Sequence, residues 1–302
     1  MKKVRFSGFE SLQERAKSIG RVKVAVASAA DKDILEAIKL AQNEGLITPV
    51  LVGDVDLIKR LAQDIGLDLE NAELIQEPCP VAAANKAVDA IEDGRAHFLM
   101  KGIVNSADFL RAVLRSDRGL RTGRLLSHLS AFQVPGFSRL LFMSDGGINI
   151  APDLMQKKEI LENSLLYLKD IGMDLIKVIA LAANEVASTK MPATMDAEAL
   201  AGMSRAGEFQ GAIVEGPLAL DGAVSAAALK HKGIKSQING DVDLILVPTI
   251  EAGNVLAKSL VYFAGATMAG IVLGAKVPIV LTSRNDTPRS KFMALTMAAM
   301  SR

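Results

Sequence analysis

Short apolar runs alternate with helix-length amphipathic segments along most of this chain, and that alternation limits the fold more than any other feature. Strand-like runs stand at 22–28 (VKVAVAS), 49–53 (PVLVG), 72–76 (AELIQ) and 97–101 (HFLMK). Helix-length segments follow them at 31–45, 54–66, 81–94 and 106–116. A strand that is apolar almost throughout is buried on both faces, so the order implies an α/β fold with a parallel sheet covered by helices.

The stretch 117–124 (DRGLRTGR) is polar and punctuated by glycine, and it reads as a domain boundary. Beyond it, 125–134 (LLSHLSAFQV) and 139–144 (RLLFMS) lie close together around Pro135-Gly136, the pattern of an antiparallel pair. Strand–helix order then resumes. Helices are expected at 152–171, 196–206, 223–232 and 252–266, and strands at 176–183, 211–215, 243–248, 270–274 and 278–282. Thr287-Pro288 is an N-cap and first-turn pair for a last helix over 288–300. The hexapeptide GDVDLI occurs at 53–58 and again at 240–245, once opening a helix and once opening a strand, which argues coincidence rather than a repeat.

With 302 residues, half of them hydrophobic, the chain has length for about two domains. Lys and Arg number 35 against 34 Asp and Glu, so no basic field favours nucleic acid or an anionic membrane. A single cysteine, Cys79, permits no internal disulfide and fits a reducing cytoplasm. It lies between two prolines without an obvious base, and a buried structural thiol is expected there. The basic start MKKVRF is followed by no apolar core of signal-peptide length, and no run reaches the ~18–20 apolar residues of a membrane span. Three scattered histidines, with neither HExxH nor CxxC, give no metal site.

Ligands of doubly wound sheets gather beyond the carboxyl ends of the strands. Those ends carry Lys101-Gly102 with Asn105 and Arg111, then Glu251 with Gly253 and Asn254, then Thr282-Ser283-Arg284 with Asp286. Cations, amide donors and glycine turns without a metal-ligand set suit phosphate. Plainer roles stand beside that one. Ser283 or Thr282 can end a strand, Asp286 can cap the last helix, and Lys101 can be a solvated terminus. The glycine-rich run 264–276 can be close helix–strand packing. It lacks the lysine of a P-loop, and the chain contains no GxGxxG or GxSxG.

The segment 239–284, NGDVDLILVPTIEAGNVLAKSLVYFAGATMAGIVLGAKVPIVLTSR, closely resembles the phosphate acetyl/butyryltransferase family. MKG at 100–102 with Asn105, and NEV at 184–186, add to the likeness, which spans nearly the whole chain. MKGIVNSADFLRAVL and LTSRND look closer to the butyryl branch than to the acetyl branch. The resemblance implies a two-domain αβα architecture like that of isocitrate and isopropylmalate dehydrogenases, with a substrate cleft between the domains. Domain I would comprise 1–124 with 270–302, and domain II would be the inserted 125–269. It also implies a cytoplasmic homodimer, or a higher homo-oligomer, acting on small molecules, with no nucleic acid or membrane partner.

The implied reaction is acyl-CoA + phosphate ⇌ acyl phosphate + CoA, by direct transfer in a ternary complex. Coenzyme A and phosphate are substrates, and no tightly bound cofactor is expected. By the resemblance Ser283 would hydrogen-bond the reacting carbonyl and Arg284 would bind phosphate, with Arg111 as a second phosphate-binding arginine. Lys101, Gly102, Asn105, Glu251, Gly253, Asn254 and Thr282 would line the substrates. Acetyl-type members carry an aspartate seven positions after the serine, and Ser290 stands there in this chain, so Asp286 or Glu251 is the candidate base. Acetyl transfer is the alternative within the class. A decarboxylating dehydrogenase and a non-catalytic CoA-binding protein are the alternatives outside it.

Overall fold

The computed structural model describes residues 5–283 and 286–301. The chain forms two compact units. One is Phe9–Arg124 with Ala269–Arg302, and the other is Leu125–Met268 together with the chain up to Gly8.

The first unit opens with helix α1 (Phe9–Ile19). Then come β1 (Val22–Ala27), α2 (Lys32–Asn43), β2 (Ile47–Gly53), α3 (Val55–Ile65), β3 (Glu73–Gln76), α4 (Pro80–Glu92), β4 (Phe98–Lys101) and α5 (Ser106–Val113). The second unit holds β5 (Ser127–Gln133), β6 (Leu141–Ser144), α6 (Leu154–Asp170), β7 (Ile176–Leu181), α7 (Pro192–Arg205), β8 (Ala212–Leu218), α8 (Leu220–Val224), α9 (Ala226–Lys232), β9 (Leu244–Leu246) and α10 (Ile250–Tyr262). The chain closes with β10 (Thr267–Leu273), β11 (Ile279–Val280) and α11 (Pro288–Ala299).

In the first unit the strands lie in the order β3-β2-β1-β4-β11-β10. All neighbours are parallel except β10 and β11. In the second unit the order is β5-β6-β9-β7-β8, parallel except for the β5–β6 pair. That pair is the antiparallel one expected around Pro135-Gly136, with Ala131 opposite Phe142. The parallel strands β1, β2 and β4 are buried almost end to end, as double-sided covering requires.

Three details differ from the sequence reading. Helix α1 was not foreseen. It buries Phe9, Leu12 and Ala16 on one face and packs on α11, with Gln13 Nε2 donating to Met293 Sδ at 3.4 Å. Helix α10 ends at Tyr262, and β10 starts at Thr267, so the glycine-rich run is mostly strand. Cys79 is exposed rather than buried, at the N-cap of α4 with Pro80 in the first turn.

The two GDVDLI copies behave as their contexts dictate. Asp54 caps α3, its side chain accepting from Leu57 N. Asp241 and Asp243 instead gather cations where β9 begins. Asp241 pairs with Arg5, Arg139 and Lys177 at 2.8, 3.0 and 2.8 Å. Asp243 pairs with Arg5 at 3.3 Å and accepts from Lys177 N at 2.9 Å. Burial works against the Asp241 charge, but hydrogen bonds from Lys177 and Arg5, with the nearby Arg139, outweigh it and hold the carboxyl below its usual range. Asp243 goes the other way, pushed up chiefly by burial.

A depressed carboxyl stabilises the fold above its unfolded pKa, about 3.9, and that support disappears as pH falls through the folded value. Asp241→Asn is therefore expected to lower stability by about 0.5–3 kcal/mol at pH 7. The gap from wild type should narrow as pH drops below about 4, where the wild-type carboxyl is protonated too. Thermal melts across pH 3–8 check this, and a gap independent of pH would refute it.

Candidate active site

The ends of β4 and β11 bring one group of the expected residues together. Val280 lies opposite Met100 in parallel register, so the chain beyond each strand leaves the sheet at the same end. Lys101-Gly102 thereby lies beside the segment that carries Thr282 and Ser283.

Gly102 owes its identity to crowding. A side-chain carbon there would run into the backbone carbonyls of Ala27 and Ser28. Gly102 N donates to Ala27 O at 2.8 Å and Ile103 N to Ser28 O at 2.9 Å, so the loop folds over the end of β1. Lys101 is only 6% exposed and ends among carbonyls. Its Nζ donates to Gly102 O and Val104 O, each at 3.2 Å. The reading of Lys101 as a solvated terminus is thus corrected: its ammonium fastens the loop from below. Asn105 N-caps α5, with its Oδ1 accepting from Ala107 N at 2.8 Å.

Arg111 sits in the last turn of α5, with its side chain 73% exposed and paired to Asp108 at 2.5 Å. It lines an open groove of about 550 Å³ with Arg115, Arg121, Asp117 and the apolar side chains of Leu110 and Leu114. Arg115 is already bound to Asp89. Arg121, in the polar stretch taken for a boundary, adds a cation that the sequence reading did not single out; its Nε donates to Leu114 O.

Ser283 is exposed, and its backbone N donates to Asp286 Oδ2 at 2.7 Å. Asp286 thereby holds the backbone of Ser283, while Thr287 performs the capping of α11. Buried Lys291, on α11, donates to Asp286 O. Ser290 bonds the Thr287 hydroxyl at 3.2 Å. Arg284, expected to bind phosphate, lies outside the described residues.

Glu251, Gly253 and Asn254 belong to the other unit, at the start of α10. Thr249 caps that helix. Glu251 is held below the ordinary carboxylate range by its own backbone N–H, with help from the Thr249 hydroxyl. Gly253 is buried, and a side-chain carbon on it would lie 2.6 Å from Gly146 Cα. Asn254 is exposed. Among the described residues, no group of three or more His, Cys, Asp and Glu side chains is placed to hold a metal ion. Nor is any helix among them long and apolar enough to cross a membrane.

Comparison with known proteins places the chain in a family. The family described as phosphate acetyl/butaryl transferase matches residues 76–299. A phosphate butyryltransferase of Clostridium acetobutylicum is 42% identical over 292 residues, 97% of each chain. A phosphate acetyltransferase of Thermotoga maritima is 40% identical over 291 residues, 96% of this chain and 98% of that one. The crystal structure of a branched-chain phosphotransacylase from Enterococcus faecalis V583 superposes with a TM-score of 0.81 at 31% identity, covering 92% of this chain and 98% of the other. A match over most of the length, with relatives of both names near 40% identity, shows that this chain belongs to the phosphate acetyl/butyryltransferase family.

Proposed function

We propose that the chain is a phosphotransacylase that interconverts acyl-CoA and phosphate with acyl phosphate and CoA, preferring a four-carbon acyl group. The near full-length likeness to relatives named for this one chemistry carries the reading. A phosphate oxygen attacks the thioester carbonyl, the C–S bond breaks, and the thiolate leaves to be protonated. In the reverse direction a CoA thiolate attacks the acyl phosphate. No covalent acyl-enzyme is needed.

Both reactants are anionic, and negative charge grows on the carbonyl oxygen. Guanidinium groups offset the repulsion, and donors held in place stabilise the oxyanion. In this reading Ser283 supplies such a donor, Arg284 and Arg111 take phosphate, and Lys101, Gly102, Asn105 and Thr282 shape the loop ends around them. Glu251, Gly253 and Asn254 contribute from α10. The substrate cleft between two domains, as the resemblance implies, is part of this proposal. Asp286 is the base that accepts the thiol proton. Glu251, whose carboxyl is held low by its own backbone N–H and the Thr249 hydroxyl, is the alternative candidate.

Butyryl preference rests on the motifs rather than on the relatives, whose two names are near-equal in identity. The chain is further taken to act as a cytoplasmic homodimer. Support for pairing comes from α10 and the residue after it, where Tyr262 is 77% and Phe263 90% exposed in the single chain.

Purified protein given phosphate with acetyl-, propionyl- or butyryl-CoA should release free thiol only when phosphate is present, fastest with the four-carbon ester. Equal use of acetyl-CoA would move the enzyme to the acetyl branch, and no release with any ester would reject the reaction. Arg284→Ala is expected to lower kcat/KM by about 10²–10³-fold with an unchanged melt. Asp286→Asn should lower kcat by about 10²–10⁴-fold and flatten the acid limb of the pH–rate profile, while Glu251→Gln keeps that limb. The reverse pattern would transfer the role to Glu251.

A further inference from the structure

The segment 144–150 meets the chain entering α10 at three places. Val247 N donates to Ser144 O at 2.8 Å, just before the helix, and Ile250 N donates to Ile150 O at 2.9 Å in its first turn. Between these two bonds, Gly146 and Gly253 meet backbone to backbone. A side-chain carbon on Gly253 would fall 2.6 Å from Gly146 Cα and 3.2 Å from Asp145 O. The position of Glu251 and Asn254 is therefore set by the position of this loop.

The loop in turn is organised by one carboxylate. Asp145 is 3% exposed. Its Oδ1 accepts from Gly147 N at 2.8 Å and Ile148 N at 2.9 Å. Its Oδ2 accepts from His128 N on β5 at 3.0 Å, from Asn149 Nδ2 at 2.6 Å and from Asn149 N at 3.4 Å. Asn149 Nδ2 also donates to Leu126 O at 2.8 Å, so the turn is anchored to the approach to β5. A buried carboxylate with that many N–H partners orders the donors around it. A neutral amide in its place would turn an N–H₂ group toward some of those donors.

From this arrangement we infer that Asp145 is a positioning residue of the acyl transfer, acting through the loop 145–150 to fix the first turn of α10. It touches no substrate. The inference rests on the functional reading above, because it takes Glu251, Gly253 and Asn254 as substrate-side residues. Two roles would give similar loss of activity and have to be separated. A positioning residue loosens the α10 turn locally, whereas a purely structural one loosens the whole unit.

The test is Asp145→Asn, read by amide hydrogen exchange, thermal melting and phosphate-dependent thiol release from butyryl-CoA. The expected result is exchange at residues 250–254 at least about tenfold faster, with β6, β7 and β9 at wild-type rates. A fall of about 10–100-fold in kcat/KM should accompany it, with a melt within a few degrees of wild type. Wild-type exchange in the α10 turn overturns the inference, and so does acceleration spread evenly through β6, β7 and β9. If Asp145→Asn yields no folded protein, Asn149→Ala removes one of the carboxylate's donors and is judged by the same criteria. If the wild-type chain releases no thiol at all, the functional reading fails, and the exchange pattern alone still decides whether Asp145 fixes α10.

Discussion

Gly102 has no room for a side chain, and much of the first unit's site geometry depends on that. The loop after β4 folds directly over the end of β1, with carbonyls of Ala27 and Ser28 where a Cβ would be. Only at that distance do Gly102 N and Ile103 N reach those carbonyls. The folded loop then leaves its own carbonyls, of Gly102 and Val104, to the ammonium of Lys101. Asn105 follows in place to cap α5, and α5 carries Arg111. One missing methyl group thus fixes the course of the chain from the last residue of β4 to a candidate phosphate-binding arginine.

The same logic recurs wherever a charge is buried near the candidate residues. Lys101 serves carbonyls of its loop, Lys291 serves Asp286 O, and Asp145 serves a row of backbone N–H groups. Burying a charge is costly unless hydrogen bonds replace its hydration, so such a group holds the surrounding backbone in one arrangement. These buried groups hold the backbone beside the candidate residues in place. Exposed Arg111, by contrast, is paired with Asp108 one turn away, and an incoming phosphate can compete for it.

What the sequence disclosed and what it hid follows from the range of each interaction. The parallel strands were legible because double-sided burial writes a continuous apolar run, and the β5–β6 pair because a Pro-Gly turn separates its two runs. Helix α1 was missed although Phe9, Leu12 and Ala16 are helically spaced, because its exposed face is charged and its cover, α11, lies at the far end of the chain. The glycine-rich run after α10 was read too far into the helix, since small residues carry little periodicity. Site residues were named by type and place in the chain, but their partners were not visible. Gly253 was expected to line substrate, and its tight constraint is Gly146, more than a hundred positions away.

Asp286 shows how far chemistry can be carried from such contacts. One oxygen of its carboxylate accepts from Ser283 N, so the group proposed to take a proton also holds the backbone of the serine. A carboxylate has lone pairs for both tasks, since each oxygen accepts more than one hydrogen bond. The shared use has a chemical consequence. When Asp286 receives a proton, its hold on Ser283 N weakens, because a neutral carboxyl is the poorer acceptor. On the proposed roles of Asp286 and Ser283, proton transfer and the placement of the serine hydroxyl are linked through a single residue, three positions along the chain from the serine it steadies.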